Sequence, residues 1–513
     1  MNSSIRKLGI AVVICYLALF AKLNHLQLVE GPSLNRRPDN SRAIERDVNR
    51  PRGTISTSDG VIVARSNEVE GKYRFQREYP LGDLFAHITG TYSFLFGTDG
   101  AERTYNDELA GQTAALKLSG YLNPFVERSN VGNLTLTARS DVQQAAKDAL
   151  GDRKGSVVAL DPRSGAILAM WSNPSFDPNA IVTNASAEAA LVRQFLNASP
   201  DKPLLARAYR ERFFPGSTFK IVTSTAGLES GKVTELTPAY PRLSKYTPPK
   251  TIRPISNFDG ATCGGTLFEL LRVSCNTGFA QMGAETIGPQ PMIDTAEKFG
   301  FNSVPPLDLP DGAASVFPTD FGKQLGPGAT PESAPVFENT PALAQASIGQ
   351  NDVSATPLEM ALVAAAVANG GTIMAPHVMA QIRDSKGGVV ETHVDAVWKQ
   401  PMTAATAAIL KRAMEGVVDG GTAKGLDIAG FDVGGKTGTA QVGSSPPRSH
   451  AWIIGFAGPP GAAPTVAVAV IVEGQDGLSE QTGGRVAAPI AKKVLQVALA
   501  PPPAAPSPPV PGG

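Results

Sequence analysis

At 513 residues the chain has room for two to four domains of roughly 150 residues each. Its 46 basic and 46 acidic residues cancel, which excludes nucleic-acid binding driven by bulk charge. Apolar residues reach 42% against 18% charged, with only three cysteines and five scattered histidines. That balance excludes wholesale disorder, a disulfide-dense scaffold and a Cys-rich zinc module, and no HxH or HExxH pair marks a metal site.

Arg6 and Lys7 precede an apolar run over residues 8–21, extendable to 29. The basic pair and the lack of a good cleavage pattern predict an uncleaved signal-anchor helix with a cytoplasmic N-terminus. A cleaved signal peptide and a buried core helix stay open as alternatives. Either export reading places Cys263 and Cys275 in an oxidising compartment. Residues 1–29 are thus taken as tail and anchor. Residues 30–152 are expected to form a smaller N-terminal α+β domain of short strands and turns, with no chemistry of its own. The helical stretch 140–150 ends it, and the polar segment 151–155 marks the boundary.

Two apolar runs, 157–160 and 166–170, flank Asp161-Pro-Arg-Ser-Gly165 and predict a buried hairpin. Residues 310–340, rich in Pro, Gly, Ala and Ser, predict a long loop. Thr356-Pro-Leu-Glu359 has the capping-box pattern with Pro at the first helical position. The helix it opens should stop at Asn369-Gly370-Gly371. A second helix spans about 403–418, a second hairpin 451–457 and 466–472, and a closing helix about 485–499. Residues 501–513, rich in Pro and Ala, predict a disordered tail. This order predicts an α+β domain over 153–500, an antiparallel sheet flanked by helices that joins both ends of the segment.

Three short motifs carry chemistry. Ser217-Thr-Phe-Lys220 follows the Pro215-Gly216 turn, so Ser217 should open a helix with Lys220 one turn on, within hydrogen-bond reach. A serine needs a base to become a nucleophile. A lysine at its ordinary pKa is neutral in only about 1 molecule in 2,500 at pH 7. Lys220 therefore requires burial and a second basic group beside it. Ser274-Cys-Asn276 suits a hydroxyl that relays a proton and an amide that holds a carbonyl. Lys436-Thr437-Gly438-Thr439, in a glycine-bearing strand, suits a carboxylate and an extended peptide added to a strand edge. Each motif alone also fits a bland reading: a helix start, a helix cap and a Gly-rich turn. S-x-x-K recurs at Ser4–Lys7 and S-x-N at Ser33–Asn35.

Together and in this order, the motifs resemble the class B penicillin-binding proteins, the actinobacterial penicillin-binding protein A group above all. The segment 155–170, Ile348-Gly-Gln350, Gly421-Thr-Ala423, Trp452 and Gly483-Gly484 share the resemblance, as does Arg52-Gly-Thr-Ile55. Asn351, where the family often has glycine, and Cys275 inside the second motif depart from it. The resemblance implies a serine β-lactamase/transpeptidase-like fold and a D,D-transpeptidase acting on peptidoglycan stem peptides. In it Ser217 is the nucleophile and Lys220 the base, and Ser274 with Lys436 relays a proton. Asn276 holds the substrate amide, and Lys436, Thr437 and Thr439, around Gly438, hold the terminal carboxylate. The backbone N–H groups of Ser217 and Thr439 form an oxyanion hole. It further implies β-lactams as inhibitors, no cofactor or metal, a single-pass plasma-membrane protein, a SEDS-type glycan polymerase as partner, and a role in division and cell shape. The same site would also suit a D,D-carboxypeptidase or β-lactamase, or a sensor that has lost turnover. Cys263 and Cys275, 12 residues apart, are either bridged or two buried thiols.

Overall fold

The computed structural model describes residues 3–31, 50–70, 73–116, 131–331, 333–442, 448–474 and 482–503. Beyond residue 503 the expected disordered tail lies outside them. Ser3–His25 is one α-helix. Its segment Arg6–His25 is long and apolar enough to cross a membrane: 20 residues rise about 30 Å, the thickness of a bilayer's hydrocarbon core. Tyr16 and Phe20 stand 71% and 68% exposed on it, as a lipid-facing helix requires and a core helix does not.

The larger body is built on a five-stranded antiparallel sheet in the order Asp432–Val442, Arg448–Gly458, Val466–Val472, Gly155–Leu160, Ile167–Asn173. Both expected hairpins are present, and Val466–Val472 joins them by pairing with Gly155–Leu160. The two ends of the domain thus share one sheet. Every residue of Val466–Val472 is buried, because Pro357–Ala368 and Ala488–Leu499 both pack on it. A strand covered on both faces has no polar side to show, which is why it reads as a continuous apolar run. The closing helix also packs on Ser140–Leu150. Arg139 ties these helices together by donating from Nη1 to the carbonyls of Ala498 at 3.0 Å and Ala500 at 2.9 Å, which a helix end leaves unpaired. The expected boundary at 152/153 therefore falls between a helix and the sheet it covers.

The smaller body is a six-stranded sheet in the order Val389–Thr392, Met379–Arg383, Asn133–Leu136, Ile55–Ser56, Ile62–Glu68, Phe75–Glu78. Two of its strands come from the far half of the chain. Beside it, buried Glu102 accepts from Arg52 Nε and from Arg77 Nε, each at 2.6 Å. The two guanidinium groups hold the carboxyl below its ordinary range against the opposing effect of burial.

Pro357–Ala368 is buried at all twelve positions, as a helix apolar all round must be. Its cap departs from the expected capping box. Thr356 Oγ1 accepts from Glu359 N at 3.1 Å, but the reciprocal bond is absent because Thr356 N already donates to Ser315 Oγ at 3.1 Å. Both carboxyl oxygens of fully buried Glu359 are left without a hydrogen-bond partner among the described residues. Burial pushes its pKa up to about 8, so the folded state holds a proton that the unfolded state releases above about pH 4.3. Stability should then fall as pH rises from about 4.5 to 8. Glu359→Gln should flatten that slope in urea-unfolding curves taken across the range; an unchanged slope would place the titration elsewhere.

Candidate active site

The turn that carries Ser217 is fixed by backbone contacts. Phe213 pairs with Ala355 in both directions, N to O at 2.9 Å and 2.8 Å. Trp452 Nε1 donates to Phe214 O at 3.0 Å, and Gly216 N to Gly349 O at 2.9 Å. Gly216, at φ +54°, lies so close to the strand Asp432–Val442 that a Cβ there would sit 2.9 Å from Thr439 O. Gly349, at φ +70°, would bring a Cβ within 2.2 Å of Gly216 O. Neither position admits a side chain. A 3₁₀ turn, Gly216–Phe219, then leads into the helix Lys220–Glu229. Ser217 is half-buried at its start and Lys220 is fully buried. Asn351 also has positive φ, 62°. Asparagine is among the few side chains other than glycine that tolerate this left-handed conformation.

The second motif sits on a break between helices. Leu267–Val273 opens with a full capping box of Thr266 and Glu269 and ends at Ser274, itself left-handed at φ 60°, ψ 44°. Such a conformation costs a non-glycine residue about 1 kcal/mol or more and recurs at functional sites. Cys275 follows, then Asn276 opens Asn276–Gln281. Cys263 and Cys275 are joined by a disulfide, which ties the serine-bearing break to the strand Cys263–Gly265. Asn257 adds a second tie: its Oδ1 accepts from Thr277 N at 2.9 Å and its Nδ2 donates to Leu243 O at 2.8 Å.

These elements bring two buried lysines to one serine. Lys220 Nζ donates to Ser274 O at 2.7 Å, to Ser274 Oγ at 3.4 Å and to Asn276 Oδ1 at 2.8 Å. Lys436 Nζ donates to the same Ser274 Oγ at 2.7 Å and to Thr437 O at 2.9 Å. The expected Ser217–Lys220 hydrogen bond is absent among the described residues. Three acceptors around Ser274 and Asn276 lie within 3.4 Å of Lys220 Nζ, one more than the two N–H bonds of a neutral amine can serve. Burial lowers the Lys220 pKa far below the ordinary lysine value, and the charge of Lys436 lowers it further. Lys436 is thus the second basic group that the chemistry required. Burial brings its own pKa down to about 7.

The third motif lies on the edge strand of the large sheet, with Lys436 opposite Ile454 and Gly438 opposite Trp452. Thr437 Oγ1 is 2.6 Å from Thr422 Oγ1, while Thr439 is half-exposed. Asn276 Nδ2 donates to Ser256 O at 3.0 Å. The motifs alone did not reveal Thr422, Ser256 or Asn257. Thr422 stood only within a stretch noted for its resemblance, and the other two reach the site by long-range contacts that spacing does not encode.

An antiparallel sheet, a serine at a helix start with a lysine one turn on, and a second serine shared by two buried lysines define a serine acyl-transferase of the penicillin-interacting class. Residues 155–496 match the penicillin binding protein transpeptidase domain, and residues 52–134 the penicillin binding protein A dimerisation domain. The chain belongs to the penicillin-binding transpeptidase family. It is 36% identical to a peptidoglycan D,D-transpeptidase PbpA of Mycolicibacterium smegmatis, over 97% of this chain and 99% of that protein. The structure resembles penicillin-binding protein A from M. tuberculosis in its ceftriaxone acyl-enzyme complex, with TM-score 0.79 and 34% identity over 89% of this chain and 100% of that one. It also resembles the penicillin G acyl-enzyme complex, with TM-score 0.77 and 34% identity over 88% of this chain and 99% of that one.

Three outcomes follow from this geometry. Gly349→Ala should destabilise the fold by at least about 2 kcal/mol, read as a lowered denaturation midpoint. In the wild type, Lys436 makes stability rise with pH between about 7 and 10.4, because the unfolded state binds the extra proton there. Lys436→Met should shrink that rise in unfolding curves and leave the share that the depressed pKa of Lys220 contributes. The denatured, unreduced full chain should titrate one thiol, Cys15; three would remove the bridge, whose loop closure contributes about 2–3 kcal/mol.

Proposed function

We propose that this chain is a membrane-anchored peptidoglycan D,D-transpeptidase that cross-links stem peptides through a serine acyl-enzyme and is a target of β-lactams. The observation that carries the reading is Ser274 Oγ, within reach of the ammonium groups of both Lys436 and Lys220 at 2.7 and 3.4 Å. The activity printed for the M. smegmatis relative supports it.

Ser217 Oγ attacks the carbonyl carbon of the penultimate D-Ala. Neutral Lys220 accepts the hydroxyl proton, for which its depressed pKa prepares it. The backbone N–H groups of Ser217 and Thr439 stabilise the oxyanion, each donor being worth about 2.7–4 kcal/mol. The bond to the terminal D-Ala nitrogen then breaks, and Ser274, positioned by Lys436, passes that nitrogen its proton and takes in return the one that Lys220 accepted. Asn276 holds the substrate amide. Thr437 and Thr439, with Gly438 giving room between them, hold the terminal carboxylate beside Lys436. An amine of a second stem peptide attacks the ester, the new amide forms, and the proton returns to Ser217 Oγ. A β-lactam follows the first half of this course and stays bound.

Residues 1–29 serve as tail and anchor, 30–152 as a non-catalytic domain of dimerisation type, 153–500 as the transpeptidase domain and 501–513 as a tail. The spanning helix and the basic pair at its start support a single pass with the catalytic domain outside the cytoplasm. Cross-linking needs freshly made glycan, which supports a SEDS-type polymerase beside it in the membrane and a role in division and cell shape.

Labelled penicillin should form a long-lived adduct on the wild-type chain, mapped to Ser217 by mass spectrometry. The Ser217→Ala chain should form none. Persistent covalent labelling of that variant would sink the assignment, and rapid decay of the wild-type adduct would turn the reading to a β-lactamase.

A further inference from the structure

The hairpin formed by Met379–Arg383 and Val389–Thr392 is bracketed by two histidines. His377 precedes it and His393 follows it, and their rings stack at 3.5 Å between centroids with planes 11° apart. One ligand atom from each, together with one carboxylate oxygen of Asp395, lie within 4.8 Å of one another. His377 is buried, at 4% exposure. His393 is half-buried and Asp395 exposed, so the cluster has a buried floor and an open mouth.

The hydrogen bonds select the free nitrogens. His377 Nδ1 lies 3.2 Å from Ala375 O. A carbonyl only accepts, so Nδ1 carries the proton and Nε2 presents its lone pair outward from that bond. A bond of this kind from the far nitrogen fixes the orientation of a ligating imidazole. His393 Nε2 is buried with no hydrogen-bond partner among the described residues, and an orphaned buried nitrogen calls for an occupant. Asp308 lies close by but is committed elsewhere. It accepts from Val378 N at 2.6 Å, from Met379 N at 2.9 Å and from the Tyr105 hydroxyl. It therefore adds negative charge near His377 without offering a free ligand.

We propose that His377, His393 and Asp395 form a binding site for a divalent transition ion of the zinc class, with a water in the fourth position. Two neutral imidazoles and one carboxylate suit zinc over magnesium or calcium, which take all-oxygen sets. Ligand bonds of about 2.0–2.2 Å bring the donor atoms closer together than 4.8 Å, so binding tilts the two rings out of parallel. The exposed Asp395 supplies the third ligand from the surface.

The position gives the ion a structural role. The backbone of His377 bridges to the large sheet, with its N donating to Gly165 O at 3.2 Å and its carbonyl accepting from Ile167 N at 3.0 Å. Two residues further on, the chain enters the sheet of the smaller body. An ion joining His377 to His393 and Asp395 clamps the base of the hairpin where the two sheets meet. Pairwise sequence spacing hides the set, because 16 residues separate the histidines and the hairpin alone brings them together.

The test uses the full chain in detergent, stripped with a chelator and dialysed against zinc chloride. We expect one zinc per chain at micromolar free metal, a raised melting temperature, and visible d–d bands when cobalt replaces zinc. Asp395→Asn, a surface change that leaves the fold alone, should weaken zinc binding at least tenfold, and His393→Gln should do the same. Both variants should label normally with penicillin, which shows that they are folded. No bound zinc at micromolar metal, or equal binding by wild type and both variants, would overturn the site.

Discussion

The catalytic half of this molecule depends on keeping two lysine side chains out of water around one serine hydroxyl. Lys220 and Lys436 are both fully buried, and an ammonium in that setting is expensive to keep charged. Among the described residues no carboxylate pairs with either of them. The protein supplies carbonyl, amide and hydroxyl acceptors, which leave the pKa values low and a lone pair available for chemistry. A paired carboxylate would stabilise the charged lysines and raise both pKa values. The site therefore accepts a stability penalty that a salt bridge would have relieved, a familiar exchange at active sites.

Holding such a cluster requires rigid supports from separate parts of the chain. The Ser217 turn is pressed against the edge strand by backbone contacts at Gly216 and Gly349 that leave no space for a Cβ. The left-handed Ser274 lies between two helices and next to a disulfide that anchors the break. The lysine-bearing strand is aligned through eleven register pairs to its neighbour, whose Trp452 reaches back to the turn. Each motif is thus positioned by a different device, and all three meet at Ser274.

The sequence made much of this legible, for identifiable reasons. Regular strands and helices with strong apolar patterns, such as Val466–Val472 and Pro357–Ala368, could be placed because their burial leaves a simple trace. The three motifs named Ser217, Lys220, Ser274, Asn276 and Lys436, and the need for a second cation near Lys220 followed from lysine's pKa alone. What stayed hidden depends on three-dimensional partners. The Lys220 ammonium turns to Ser274 rather than Ser217, because acceptors distant in sequence compete for it. Glu359 does not complete its capping box, because Ser315 reaches the backbone group first. Arg52, Arg77 and Glu102 cluster across as many as 50 residues, and the small sheet borrows two strands from beyond residue 378.

That borrowing sets a timetable for synthesis. Asn133 pairs with Arg383, 250 positions later. At about 5–20 residues per second the ribosome needs roughly 10–50 s to deliver the partner. Until then the strand Asn133–Leu136 presents an open edge of unpaired backbone groups, a template for pairing with other chains. The first-made body is therefore among the last to close. The interval gives a chaperone a defined task, which is to cover one strand edge of a body whose remaining strands, Ile55–Ser56, Ile62–Glu68 and Phe75–Glu78, have already been made.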